Sequence, residues 1–169
     1  AGLMIPDHGE IVWDQIPITR LEARACDAWR LRHVGLIFQD FQLIPELSVI
    51  ENILLTTHFS QWRAGEEARL HAHRQAEALG LPDRDQPVSG LSRGEQQRVA
   101  IARAIINKPS ILFADEPTGN LDSTHARELH QLFFELRDKW QQTFLIVTHN
   151  EELASMSDRV LYMKDGNLV

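Results

Sequence analysis

Three short apolar runs, separated by segments with helical patterns, constrain the fold of this chain most strongly. Residues 34–38, 111–114 and 144–147 are continuous apolar segments of strand length. A run that is apolar at every position predicts a strand buried on both faces, which is typical of parallel sheets. The alternation of strand and helix patterns therefore predicts an α/β fold with a mostly parallel sheet.

Local signals place the helices and two hairpins around these strands. Ser48 with Glu51, and Ser92 with Glu95, form the capping-box pattern that starts a helix. We expect helices over 48–59 and 64–79, from 92 to before Pro109, and along an apolar stripe of Ala126, Leu129, Leu132, Phe133, Leu136 and Trp140. Hairpins are predicted over 10–18, with its turn at Asp14 and Gln15, and over 159–169, around Asp165 and Gly166.

Composition excludes several classes of protein. The 169 residues suffice for one domain, and the net charge of -7 argues against nucleic acid as the main partner. Cys26 is the single cysteine, so no disulfide can form within the chain and a reducing compartment is expected. No apolar run approaches the roughly 18 residues that span a bilayer, and the N-terminus has no signal-peptide pattern.

Polar side chains follow each of the three predicted strands. Gln39 follows the first, Asp115 and Glu116 the second, and His149 the third. Ligands of open parallel sheets bind at the carboxyl ends of the strands. One acid there could hold Mg²⁺ and the next could orient an attacking water. The alternative is that the acids and Gln39 only begin loops and that His149 is structural.

The helix that starts at Ser92 is a second candidate binding element. Its first amides lack partners within the helix and its positive dipole end favours an anion. Gly94 would let the backbone approach a phosphate closely. The alternative is a plain capped helix. The other histidines have poor spacing for ligands, with His71 and His73 two residues apart and His125 and His130 five apart, so we predict no protein-built metal cage.

The order of these segments resembles that of ATP-binding cassette (ABC) ATPases. Residues 91–103, with Leu-Ser-Arg-Gly-Glu-Gln-Gln at their start, resemble the signature motif. Residues 38–45 resemble the Q-loop of these ATPases, and residues 111–116 resemble their Walker B strand. Residues 119–122 resemble the D-loop, and His149 resembles the switch histidine. The resemblance implies a P-loop NTPase-like fold, with a RecA-like core and an N-terminal antiparallel hairpin in 1–44 and 89–169, and a helical subdomain in 45–88.

The resemblance also implies residue roles. Asp115 and Gln39 would hold Mg²⁺, and Glu116 would be the catalytic carboxylate beside His149. The remaining nucleotide-binding positions would be Ser92, Arg93, Gly94, Glu95 and Asp122, with Gln39 also contributing. In such ATPases two copies, identical or paired, enclose two ATP molecules, and the signature motif of one copy contacts the nucleotide of the other.

The amino-acid sequences of residues 38–45 and 114–122 most resemble those of one branch of the family. That branch contains ATPases of lipoprotein-releasing systems, macrolide-type exporters and the cell-division ABC pair. It implies export or extrusion through a transmembrane permease subunit, contacted by residues 39–45 and the helical subdomain, and a cytoplasmic location at the inner face of the cell membrane. Two rivals stay open: a degenerate, non-enzymatic interaction domain, and a soluble ABC ATPase of DNA maintenance. The 52 residues between Gln39 and Ser92 are few for the long coiled coil of the latter.

Two features depart from the family pattern. Arg93 stands where the family usually has Gly, and it either adds positive charge near the γ-phosphate or simply faces solvent. In addition, none of the nine glycines is followed by Lys, so the chain contains no Gly-rich phosphate loop. We therefore expect an N-terminally truncated ABC ATPase domain with an exposed sheet edge, whose 169 residues alone bind ATP poorly and do not hydrolyse it.

Overall fold

The structure is a computed structural model that describes residues 2–4, 6–58, 65–81 and 85–169, with the side chain of His58 excepted. Its strands form one parallel sheet and two short antiparallel hairpins. The strands are β1 (Val12–Trp13), β2 (Ile16–Pro17), β3 (Val34–Ile37), β4 (Ile111–Asp115), β5 (Thr143–Val147), β6 (Met163–Lys164) and β7 (Asn167–Leu168).

Helices connect and cover these strands. They are α1 (Ala23–His33), α2 (Val49–His58), α3 (Glu66–Ala78), α4 (Arg93–Ile105), α5 (Ser123–Trp140) and α6 (Glu151–Ser155). Short 3-10 turns occupy Ile18–Arg20 and Val88–Gly90. No helix in the described part of the chain is long and apolar enough to cross a membrane.

The parallel sheet has the order β3-β4-β5. Leu112 of β4 lies opposite Gly35 of β3 and Phe144 of β5. The polar residues that follow β4 and β5 therefore meet at one edge, as the sequence predicted. Among the described residues β5 pairs on one side only, and its Leu145 and Val147 are 46% and 57% exposed. This is the exposed sheet edge expected from the sequence, and unpaired strands of this kind favour aggregation.

One hydrophobic cluster joins α2, α3, α4, α5 and the sheet. Helix α4 lies at its centre, since Val99, Ile101 and Ala102 are fully buried between the sheet and α2. Two capping boxes fix helix starts in this cluster: Ser48 caps α2 and Ser92 caps α4. The direction of α4, and so the position of its first turn, is set by this packing.

Most predicted elements are confirmed, including the mostly parallel α/β architecture and the turn at Asp14 and Gln15, where both residues have positive φ. Five details were wrong. Residues 144–147 were predicted as a strand buried on both faces, but β5 alternates between exposed and half-buried positions, and helix α6 was not predicted. Helix α1 was not predicted, because Trp29 is its one buried residue and no apolar stripe marks it. Trp140 is 44% exposed instead of buried. The C-terminal hairpin pairs two residues on each side, fewer than predicted. Residues 59 and 64, the predicted ends of two helices, lie outside the described residues.

Gly35 gives a test of the packing between the sheet and α4. A Cβ atom on Gly35 would lie 2.5 Å from the Ala104 carbonyl oxygen and would clash with Leu112 Cδ2. Because backbone cannot yield easily, Gly35→Ala is expected to lower the free energy of unfolding by ~2–3 kcal/mol. Gly90→Ala, at a position with nothing within 4 Å, is the control and should change it by less than about 0.5 kcal/mol. Equal urea midpoints for both variants would contradict this packing.

Candidate functional site

Glu116 lies at the centre of the polar edge, directly after β4. Its backbone has a φ of 42°, a left-handed conformation that is unfavourable for a residue with a side chain. Two backbone hydrogen bonds hold this conformation. Glu116 N donates to the Val147 carbonyl at 2.9 Å, and Gly119 N donates to the Glu116 carbonyl at 3.0 Å. Strained residues of this kind cluster at functional sites, where the surrounding structure enforces them.

The Glu116 carboxylate is aimed at the residues that follow β5. Its Oε1 is 2.8 Å from His149 Nδ1 and accepts a bond of 2.9 Å from His149 N. Its Oε2 accepts a bond of 3.1 Å from Thr148 Oγ1. His149 itself is 83% exposed, whereas the Glu116 side chain is 21% exposed. The structure thus brings together two residues that the sequence proposed as a catalytic pair and adds Thr148.

Asp115 and Gln39 flank this pair. Asp115 is exposed at the end of β4, and within the described ranges its carboxylate has no hydrogen bond or ion pair. The Gln39 side chain lies against Gly119, where an added Cβ would be 2.9 Å from Gln39 Nε2. Asn120 Nδ2 donates to the Gln39 carbonyl at 3.1 Å and to Asp40 Oδ1 at 3.0 Å. An unpaired carboxylate and an exposed amide are oxygen donors of the type that Mg²⁺ prefers.

The loop after β3 is held by a buried arginine of α4. Phe41 and Gln42 have φ values of 60° and 51°, and Phe41 is buried. Arg103, which is 8% exposed, donates to the Gln42 carbonyl at 2.5 Å and to the Phe41 carbonyl at 2.6 Å. Burial lowers the pKa of Arg103 from its usual value. The loop that follows Gln39 is therefore fixed directly to α4.

Arg93 also contacts this loop. Its guanidinium carbon lies 5.8 Å from the centroid of the Phe41 ring, within the distance of a cation–π contact. The residue therefore packs on the Q-loop segment, an arrangement that neither sequence alternative included. Its assignment as a phosphate contact stays a prediction.

The first turn of α4 has the predicted capping box. Ser92 Oγ accepts from Glu95 N at 3.3 Å and donates to Glu95 Oε2 at 2.7 Å, and Ser92 N donates to the same carboxylate oxygen. These bonds lower the pKa of Glu95, with the hydrogen bond from the Ser92 side chain as the largest cause. Ser92 is exposed and no bond in the described part of the chain joins it to Asp115, Glu116 or His149. Within one chain, the two predicted halves of the site are therefore not joined by a direct hydrogen bond among the described residues.

Asp122 connects the D-loop segment to the start of α4. It caps α5 by accepting from Thr124 N and His125 N, at 2.9 and 3.1 Å, and its Oδ2 lies 2.5 Å from His125 Nδ1. The hydrogen bond between its ring and the Asp122 carboxylate is the largest cause that raises the pKa of His125. The pKa of Asp122 is lowered, mainly by the hydrogen bond from the His125 backbone amide and next by the bond from the His125 ring. Both directions favour a charged pair. The ring of His125 lies against Gly94.

Gly94→Ala tests this contact. An added Cβ would lie 2.9 Å from His125 Cδ2, whereas the higher helix propensity of Ala would favour the variant by up to ~1 kcal/mol. We expect a net loss of about 1 kcal/mol in the free energy of unfolding. In a His125→Ala background the same substitution should be neutral or stabilising, a coupling of about 1–2 kcal/mol. Additive effects in chemical denaturation would rule out the contact.

Besides Thr148, sequence reasoning missed three residues near this edge. Arg103 and Phe41 are 62 positions apart, and no local pattern predicts a guanidinium that reaches distant carbonyls. His125 was set aside for its spacing to His130, although its position three residues after Asp122 is a local signal for an ion pair on a helix. Phe41 carries no turn signal, since left-handed positions are usually Gly or Asn.

Comparison with solved structures identifies the class of fold. A dimeric ATP-binding cassette solved in a post-hydrolysis state with ADP and phosphate has a TM-score of 0.85 and 36% identity, over 99% of this chain and 74% of that chain. A cassette of the ABC transporter complex cbiONQ from Clostridium perfringens has a TM-score of 0.86 and 28% identity, over 99% of this chain and 67% of that chain. The fold is therefore that of the P-loop nucleotide-binding ABC ATPases, as the sequence predicted.

Sequence comparisons agree. The model of the ABC transporter family matches residues 1–119. The lipoprotein-releasing system ATP-binding protein LolD of Bacteroides fragilis is 44% identical over 165 residues, covering 97% of this chain and 76% of that protein. The macrolide export ATP-binding/permease protein MacB of Rhodopirellula baltica is 40% identical over 163 residues, which cover 95% of this chain and 24% of that protein. The chain belongs to the ABC transporter family.

Proposed function

We propose that this chain forms part of an ATP-binding and ATP-hydrolysing subunit of an ABC transporter, whose Gly-rich phosphate loop the 169 residues do not contain. The observation that carries the proposal is the edge where Glu116 meets Thr148 and His149 beside the unpaired carboxylate of Asp115. Strand β4 is largely buried and β5 pairs with it in parallel register along its length, so both segments are positioned without a ligand. A non-enzymatic interaction domain would have no use for this strained arrangement, and the similarity to transporter ATPases disfavours a DNA-maintenance enzyme.

The proposed chemistry assigns one task to each side chain. Asp115, with Gln39, would hold Mg²⁺ against the phosphates of ATP, and the metal would neutralise charge that develops on them. Glu116 would orient or deprotonate the water that attacks the γ-phosphate. Its Oε1 is 2.8 Å from His149 Nδ1, so His149 could offer Nε2 to a phosphate while Nδ1 stays on Glu116.

We further propose that a second copy completes each site. Ser92, Arg93, Gly94 and Glu95 of one copy would contact the nucleotide bound at the sheet edge of the other, with Asp122 at the interface. The exposure of Ser92 supports this arrangement, as does the dimeric state of the similar cassette bound to ADP and phosphate. The contact of His125 with Gly94 would set the angle at which the first turn is presented.

The transported substrate and the membrane partner are proposed from the relatives. LolD is the ATP-binding protein of a lipoprotein-releasing system, and MacB is a macrolide export protein. We infer a role in export or extrusion through a permease at the inner face of the membrane. Residues 39–45, held on α4 by Arg103, and the helical segment 45–88 are the proposed permease contact. The corresponding core would comprise 1–44 and 89–169.

Phosphate release tests the proposal. The protein expressed from its full reading frame is incubated with ATP, with and without Mg²⁺, and inorganic phosphate is measured over time. Hydrolysis that depends on both Mg²⁺ and protein is expected. Nucleotide binding without any phosphate release, in the presence and absence of the permease partner, would favour the interaction-domain alternative.

A further inference from the structure

The hydroxyl of Thr148 links the Glu116 carboxylate to the segment that leads into α6. Thr148 Oγ1 is 3.1 Å from Glu116 Oε2 and accepts a hydrogen bond of 3.0 Å from the backbone amide of Asn150. A threonine hydroxyl has one proton and two lone pairs. Because the amide of Asn150 occupies one lone pair, the proton is available to donate to Glu116. The single proton of this hydroxyl is therefore directed at the carboxylate.

The segment that carries this hydroxyl is anchored on both sides. Before it, β5 pairs with β4 along its whole length. After it, Asn150 Oδ1 caps α6 by accepting from the Leu153 amide at 2.9 Å, and Leu153 is 3% exposed within the hydrophobic core. A hydroxyl fixed in this way keeps its direction, whereas one on an unconstrained side chain would exchange between staggered rotamers.

The two carboxylate oxygens of Glu116 are bound by different residues. Oε1 lies 2.8 Å from His149 Nδ1 and accepts from His149 N at 2.9 Å, whereas Oε2 has the Thr148 hydroxyl as its partner. A carboxylate bound through one oxygen can still swing its other oxygen, because the terminal torsion of Glu is broad. The bond from Thr148 therefore fixes the plane of the carboxylate and the direction of its remaining lone pairs.

We propose that Thr148 is a positioning residue for hydrolysis, which acts by fixing the plane of the Glu116 carboxylate. This inference rests on the proposed function. In that reaction the water oxygen bonds to the γ-phosphorus, the bond from phosphorus to the leaving ADP oxygen breaks, and Glu116 accepts a proton of the water. A base contributes most when its lone pair is aligned with that proton. Thr148 thus acts on the chemical step, because its own proton is committed to Glu116.

Two substitutions of Thr148 separate its hydroxyl from its shape. Thr148→Val keeps the branched shape and removes the hydroxyl, whereas Thr148→Ser keeps the hydroxyl and removes the methyl group. Both are made in the protein expressed from its full reading frame, and kcat and KM for ATP are measured by phosphate release. We expect Thr148→Val to lower kcat about tenfold with KM within about twofold, since misplacement of a catalytic group costs rate and not binding. Thr148→Ser should stay within about threefold of the unchanged kcat.

Thr143→Val is the matched control, because Thr143 is exposed at the opposite end of the same strand. It should leave kcat unchanged. Thr148→Val added to Glu116→Gln should cause no further loss, because residues that act as a unit are not additive. An unaltered kcat in Thr148→Val, a loss expressed in KM, equal losses in the Val and Ser variants, or a further loss in the double variant would each overturn the proposal.

The same assay distinguishes this inference from the proposed function. The unchanged protein and Glu116→Gln are measured in parallel with the Thr148 variants. No hydrolysis by the unchanged protein, or full hydrolysis by Glu116→Gln, would overturn the proposed function and the role of Thr148 with it. Hydrolysis that Glu116→Gln abolishes and Thr148→Val leaves intact would overturn the role of Thr148 alone.

Discussion

Replacement of Glu116 by Gln is expected to reduce ATP hydrolysis by at least about 100-fold, because removal of a positioned general base costs about 10²–10⁴ in rate. Gln is nearly isosteric, and its Oε1 can still accept from the His149 amide that now bonds Glu116 at 2.9 Å. The fold and the affinity for nucleotide should therefore be retained. Phosphate release and nucleotide titration, both on protein expressed from the full reading frame, measure the two quantities separately.

A control substitution at a second glutamate shows whether the loss of activity is specific to Glu116. Glu151→Gln removes an equal charge from the exposed first turn of α6, two residues after His149. It should leave hydrolysis within about twofold of the unchanged protein, since surface charges there act weakly through solvent. If both variants lose activity equally, or if Glu116→Gln keeps it, Glu116 is not the catalytic carboxylate.

Substitution of Arg103 by Met is expected to lower the free energy of unfolding by about 3–5 kcal/mol. Arg103 donates to two carbonyls, and each hydrogen bond to a charged group contributes about 1.5–3 kcal/mol. Met would fill the space of the side chain but leave the Phe41 and Gln42 carbonyls without their donor. Urea denaturation measures the loss, and limited proteolysis should show earlier cleavage near residue 42.

Two control variants separate charge from geometry. Arg103→Lys keeps the charge but cannot reach both carbonyls in a fixed fork, so it should recover part of the loss. Arg98→Met removes an arginine of the same helix that is 35% exposed and pairs with Glu128 at 2.9 Å, which should cost about 1 kcal/mol or less. An equal effect of Arg98→Met and Arg103→Met would show that the loop is not held through Arg103.

The sequence was sufficient where structure depends on local patterns. Apolar runs predicted β3, β4 and β5, and Ser92 with Glu95 predicted the start of α4, because strand burial and helix capping depend on neighbouring residues. The same logic placed Glu116 and His149 at one edge, since parallel strands end together. Their direct contact, at 2.8 Å, was not predicted.

The remaining features depend on contacts between distant segments. Arg103 reaches a loop about 60 positions away, and His125 packs on Gly94 across two helix starts. Helix α1 covers little of the core, and Trp29 is its one buried residue. Its sequence therefore has no apolar stripe from which the helix could be predicted. Side chains of this kind gain their role from the assembled fold, so pattern and propensity alone do not reveal them.

Mixing two inactive variants tests most directly whether paired copies of this chain form shared ATP sites. Glu116→Gln removes the base and leaves Ser92, whereas Ser92→Arg blocks the α4 start and leaves Glu116. Both are expressed from the full reading frame and each alone should release almost no phosphate. An equal mixture should recover about a quarter of the original rate, because half of the symmetric dimers become mixed and hold one intact site. Activity no higher than the sum of the separate variants, despite mixed dimers shown by native mass spectrometry, would contradict the shared site.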